Sequence, residues 1–122
     1  VAILSADDIL NADDLKSEPV EVPEWGGTVL VQGMSGTARD RFEAAMMKDN
    51  MSGVSKDKAL DNYRARLAAA CIVGEDGKRL FQGDAVVRRL GEKSAQALTR
   101  VAEVASRLSG LTDADVQELT GN

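Results

Sequence analysis

Apolar positions along the chain change their period. Over residues 18–31 they alternate: Val20 and Val22 flank Glu21, Gly26-Gly27 supplies a turn signal, and Val29 and Val31 follow it. A period of two around a Gly-Gly turn predicts a β-hairpin. Pro19 and Pro23 cannot donate to a strand ladder, so the first strand is expected at an edge or to fray early. Beyond residue 35 the period is helical. Ser35-Gly36-Thr37 reads as a helix start, and Ala38, Phe42, Ala45 and Met46 fall on one face of a helix over 38–48. Arg39, Asp40, Arg41 and Glu43 point outward or pair with one another. The polar run 49–58, with Gly53, reads as a loop. A third helix over 56–71 carries Leu60, Tyr63 or Arg64, Leu67 and Cys71 on one stripe. Asp84 is a plausible N-cap for a short helix through 90, with Val87 and Leu90 inward and Gly91 as its stop. Ser94 opens the longest helix, to 108, in which Leu98, Val101, Ala105 and Leu108 recur at three, four and three residues. Two capping-box patterns, Ser5-Ala6-Asp7-Asp8 and Thr112-Asp113-Ala114-Asp115, predict short terminal helices over about 6–11 and 113–120. Val116 and Leu119 are the apolar contacts of the last one.

The stretch 64–81 joins these parts. Arg64 to Cys71 is rich in Ala, Leu and Arg and favours helix. Ile72 and Val73 are β-branched, and Gly74-Glu75-Asp76-Gly77 is a polar turn, since Gly accepts positive φ without steric penalty. Leu80 and Phe81 are expected to return to the core, with Phe81 near Ile72. The resulting expectation is one domain over 1–122, mainly α (α+β), with four to five helices and a small N-terminal β-hairpin. It divides into an acidic arm (1–18), the hairpin (19–33) and a helical body (35–121). The expected core is Phe42, Leu60, Leu67, Ile72, Phe81, Leu90, Leu98, Val101 and Leu108.

Composition narrows the function. Of 122 residues 43% are hydrophobic but only 3% aromatic, so the core is built from Leu, Val, Ile, Ala and Met. The net charge is −5, and residues 1–24 hold Asp7, Asp8, Asp13, Asp14, Glu18, Glu21 and Glu24 against Lys16 alone. An acidic arm on a nearly neutral body argues against nucleic-acid binding, which needs a basic face. It fits solubility or a basic protein partner. No run of ~18 apolar residues is present, and no basic-then-apolar leader opens the chain, so neither membrane insertion nor secretion is expected. The chain opens on Val1 rather than Met, from which a trimmed or processed start is expected. Cys71, the single cysteine, lies in an apolar stretch and reads as a buried small hydrophobe, in keeping with a reducing cytoplasm.

Catalytic motifs are missing. Without His, the commonest general base and zinc ligand is unavailable. One Cys makes no thiolate site, no Ser sits in a Gly-x-Ser-x-Gly elbow, and Gly26-Gly27 leads into no Gly-Lys-Ser/Thr phosphate loop. The acidic arm lacks the Gly and distal Glu of a Ca²⁺ loop. The expectation is a non-enzyme with no catalytic, cofactor or metal-binding residues.

Three segments, in order, carry a resemblance. Leu4-Ser5-Ala6-Asp7-Asp8-Ile9-Leu10 is followed by Val22-Pro23-Glu24-Trp25-Gly26-Gly27-Thr28-Val29. A charged helix, Arg39-Asp40-Arg41-Phe42-Glu43, comes next. Ala68 through Phe81 then leads to a helix ending near Leu108-Ser109-Gly110-Leu111-Thr112. Together these resemble the tail assembly chaperones of long-tailed bacteriophages and prophages, with Gly74 as a departure where many relatives carry a polar residue. The resemblance implies a non-catalytic protein of the host cell cytoplasm that binds the tape measure protein, shields its apolar helices until tail tube protein polymerises around them, and is absent from the mature virion. The alternative from another class is a structural head–tail connector or tail completion protein. Expected partners are therefore the tape measure and tail tube proteins, with self-association open, and neither nucleic acid nor membrane.

Six residues are candidates for partner binding. Trp25 is either a structural plug or an anchor. Met47 and Met51 are adaptable side chains at a helix end, with Met46 as core filler. Leu98, Val101 and Leu108 form the seam of the long helix, which packs on its own domain by default or else faces a partner.

Overall fold

The computed structural model describes residues 2–51 and 56–119, with side chains described over 2–48 and 63–118. Along the chain run α1 (Ala6–Leu10), β1 (Ser17–Val22), β2 (Gly27–Gln32), α2 (Gly36–Met51), α3 (Lys56–Cys71), β3 (Ile72–Val73), α4 (Asp84–Gly91), α5 (Ala95–Ser109) and α6 (Asp113–Leu119). The fold is mixed α/β, mostly helical, with a small antiparallel sheet. Six α-helices lie among the described residues, where four to five were expected.

The sheet has three strands in the order β1-β2-β3, so the hairpin is not alone. Val20 pairs with Val29 and Val22 with Gly27 along the hairpin. β3 adds to the other side of β2, with Leu30 opposite Val73 and Val31 opposite Ile72. β1 is thereby an edge strand, where Pro19 leaves no inner ladder bond unmade. The hairpin turn also differs from a Gly-Gly pair. Pro23–Trp25 form one 3₁₀ turn, and Gly26 closes it with φ 78°. That left-handed conformation is cheap only for glycine.

α3 is the central helix. Tyr63, Ala65, Leu67, Ala68, Ala69 and Cys71 are all buried, and α2, α4 and α5 pack around it. Its alanines let neighbours approach closely: a Cβ added at Gly91 of α4 would lie 3.5 Å from Ala65 Cβ. Phe42 of α2 meets Tyr63 with ring centroids 5.7 Å apart and planes tilted by 59°, an arrangement favoured by the aromatic quadrupoles. Phe42, Leu67, Ile72, Leu90, Leu98 and Val101 are buried as predicted, joined by Val20, Val22, Val31 and Met46. Phe81 and Leu108 are half-buried against that cluster. The side chain of Leu60 lies outside the described residues.

Leu80 corrects an expectation: it is 58% exposed. Val73 bridges to Arg79, and the Leu80 amide donates to the Ile72 carbonyl at 3.2 Å. Along such an extended return successive side chains alternate, so Phe81 turns in and Leu80 out. α2 also runs three residues past the predicted 48, and residues 56–58 are already helical, which leaves 52–55 of the expected loop outside the described residues. At α4 the N-cap is Gly83, not Asp84. Asp84 sits in the first turn, where its carboxylate accepts from the Arg66 guanidinium at 3.2 Å.

The end of the hairpin is tied to the end of α5. A Cβ at Gly33 would lie 2.4 Å from the Leu108 carbonyl oxygen, so two backbones meet where only glycine fits. Beside it the Met34 amide donates to Ser109 Oγ at 3.0 Å. Arg100 grips Glu24 through two bonds of 2.8 and 3.1 Å, and Arg107 donates to Glu18. These pairs divide the acidic block: Glu18 and Glu24 belong to the body, while the aspartates before them do not.

Candidate partner-binding surface

The segment before β1 stands apart from the core. α1 is built by a reciprocal cap: the Asp8 amide donates to Ser5 Oγ at 3.2 Å, and the Ser5 amide donates to Asp8 Oδ2 at 2.9 Å. The Ser5 backbone amide and then its hydroxyl hold the Asp8 carboxyl below its ordinary value. This helix of five residues buries none of them. Ile3 is 98% exposed, Leu4 65%, Ile9 58% and Leu10 81%. Scattered surface aliphatics are ordinary, but large ones grouped on a short segment mark an interaction site. The sequence pattern predicts an acidic arm and does not single out these four side chains. The available signal was the pairs Ile3-Leu4 and Ile9-Leu10 inside an otherwise acidic run.

Met47 is the second exposed apolar feature. It projects from α2 with 60% of its surface exposed, while Met46 beside it is fully buried. One residue of helix rotation separates the two roles. Met47 lines a shallow pocket of about 120 Å³ with Glu43, Asp115 and Glu118. Its walls are fixed by Arg39, which reaches Glu43 at 3.0 Å and Asp115 at 3.3 Å and so ties α2 to α6. Asp115 also closes the α6 capping box: its amide donates to Thr112 Oγ1 at 3.1 Å and its carboxylate accepts the Thr112 amide at 2.9 Å. Those Thr112 bonds, with Arg39 adding less, keep its carboxyl below the usual range. The side chain of Met51 lies outside the described residues.

Trp25 lies at the hairpin turn, half-buried. Its indole Nε1 is buried with no acceptor among the described residues, while the ring lines an open groove of about 470 Å³ together with Phe81, Val86 and Leu90. Arg89, Glu92 and Lys93 stand at the same groove and are exposed.

The seam of α5 is corrected as a partner surface. Leu98 is 4% exposed and Val101 is fully buried, while Leu108 is half-buried against the same core. Their spacing aims them at α3 and the sheet, so this stripe is consumed by intramolecular packing. Cys71 is likewise buried. Desolvation pushes its thiol up to about 11, against a smaller lowering from Ser109, whose Oγ lies 3.8 Å from the sulfur. Such a thiol is a poor nucleophile. Among the described residues no group of three or more His, Cys, Asp or Glu is placed to hold a metal ion, and no helix is long and apolar enough to cross a membrane. No protein-family profile, curated protein or solved structure matches the chain.

Proposed function

We propose that the chain is a tail assembly chaperone of the long-tailed phage type, which binds the tape measure protein and helps tail tube assembly without catalysing a reaction. The observation that carries the reading is the surface around Met47. It offers an exposed, conformationally adaptable apolar side chain within a frame of carboxylates. A thioether repacks against many differently shaped apolar helices, and the carboxylates keep the surrounding surface wet. That combination fits a client with many similar helical segments better than it fits one partner of fixed shape. The order of segments resembling the family, from Leu4 to Thr112, supports the same reading.

In this role the protein acts in the host cell cytoplasm, holds apolar helices of the tape measure protein with modest affinity, yields them as tail tube protein polymerises, and leaves no copy in the mature virion. Affinity has to be modest, because a client held too tightly would obstruct the tube. Co-expression with the neighbouring tail genes followed by pull-down tests the reading. The expected result is co-purification of the tape measure protein, and its absence from the eluate would overturn the proposal. A connector or tail completion role keeps one observation in its favour, the exposed aliphatic arm, which a ring-forming subunit would also use. Mass spectrometry of purified particles separates the two, since a connector is retained and a chaperone is not.

A further inference from the structure

We infer that the N-terminal arm is an exchange element: the arm of one copy seats in the Trp25 groove of a second copy, and the second copy's arm in the first. The arm presents Ile3, Leu4, Ile9 and Leu10 to solvent while burying none of the α1 residues. A helix of five residues is marginal in isolation, and here a capping box fixes its shape although it buries nothing. The groove offers the complementary surface. Trp25, Phe81 and Val86 are half-buried and form its apolar lining.

Charge selects the arm as occupant. Arg89 and Lys93 stand at the groove without an ion-pair partner among the described residues, and Glu92 is the one acid there. The arm carries Asp7, Asp8, Asp13 and Asp14, all exposed and none in an ion pair among the described residues. An acidic, aliphatic segment therefore meets an apolar groove bordered by unpaired cations, and rim charges of this kind steer encounter and fix register.

The arm's own placement selects a second copy over the same chain. β1 runs from Ser17 toward the turn that holds Trp25. The Gly33 amide donates to the Lys16 carbonyl at 3.0 Å, which extends the ladder to Lys16 and sends the arm off the opposite end of the hairpin. The arm is exposed and its own groove stands open, so the arm does not fill the groove of its own body, and a two-fold mate can offer one instead. A two-fold exchange repeats every contact, and closes without leaving a free arm or groove.

The test uses the full chain in sedimentation equilibrium over a range of concentrations. One variant, Ile9→Asp with Leu10→Asp, disables the arm at positions that are 58% and 81% exposed in the monomer. The other, Arg89→Glu with Lys93→Glu, disables the groove through exposed side chains only. The wild type is expected to dimerise, each variant to associate more weakly by roughly tenfold or more, and a mixture of the two to recover association through the single intact arm–groove pair. Rising salt should weaken the wild-type dimer. A wild type that stays monomeric, a dimer indifferent to both variants, or a mixture that associates no better than its parts would each overturn the exchange. Circular dichroism of both variants confirms that the fold is retained. The outcome does not depend on the tape measure protein, so the exchange and the chaperone role fail separately.

Discussion

At the scale of single residues, two positions set how much change the core tolerates. Leu67 is fully buried in the central helix. Leu67→Ala removes its methyl contacts and leaves a cavity, at a cost of ~2–5 kcal/mol, a large part of the ~5–15 kcal/mol typical of a domain. Urea denaturation is the check, and the expected result is a lower midpoint with an unchanged slope. Gly33 fails in the opposite sense. Its Cβ would meet the Leu108 carbonyl, which is backbone and cannot swing aside, so Gly33→Ala is expected to destabilise by about 1–3 kcal/mol. The helical stripe made Leu67 legible in the sequence. Gly33 was not legible, because nothing in a local pattern tells that two backbones converge from distant parts of the chain.

Cys71 adds a pH dependence at the same scale. In the unfolded chain a thiol ionises near 8.5, whereas in the folded protein it holds its proton to about 11. Between those values the native state binds the extra proton, so stability falls as pH rises through this window and is unaffected below it. The total is roughly 3 kcal/mol. Cys71→Ser would carry no such slope, and comparing its unfolding midpoints at pH 8 and pH 10.5 with those of the wild type isolates the contribution. An equal loss in both proteins would assign the slope to other groups.

Among the elements, the strongly periodic ones were legible. The predicted ends of α3 match those found, and α5 lies within a residue of its expected span. Both have apolar stripes long enough for a period of 3.6 to stand out. β3 was missed for the converse reason. Two residues, Ile72 and Val73, have no period of their own, and the strand exists only because β2 offers a free side. The arm was read half correctly. Its cap was visible in Ser5 and Asp8, but whether Ile9 and Leu10 find cover depends on what the body offers, and neither is buried there. α6 gives a prediction at this scale. Arg39 joins it to α2 through Asp115, so Arg39→Ala should speed amide hydrogen exchange in residues 113–119 while the α3 amides stay protected. Uniform acceleration across both helices would mean that Arg39 supports the whole fold instead.

For the whole molecule, the distribution of charge and apolar surface decides what the protein can do. Glu18 and Glu24 are bound to α5 and lock the hairpin to the body. Asp7, Asp8, Asp13 and Asp14 stay in the arm and Glu43, Asp115 and Glu118 stand around Met47, beside aliphatic surface left exposed. Of the residues proposed from sequence, Met47 and Trp25 reach a surface, whereas Leu98 and Val101 do not. Spacing placed all of them on faces. It could not say which face the body would cover. The central claim is that Met47 contributes to an apolar, adaptable binding surface for tape measure helices. Calorimetric titration of helical tape measure fragments into the wild type and into a Met47→Ser, Met51→Ser double mutant, each at two salt concentrations, tests it most directly. The account predicts modest wild-type affinity, only slightly weakened by salt, and a clear loss in the double mutant. Binding of the double mutant as tight as wild type, or a steep fall with salt in the wild type, would contradict it.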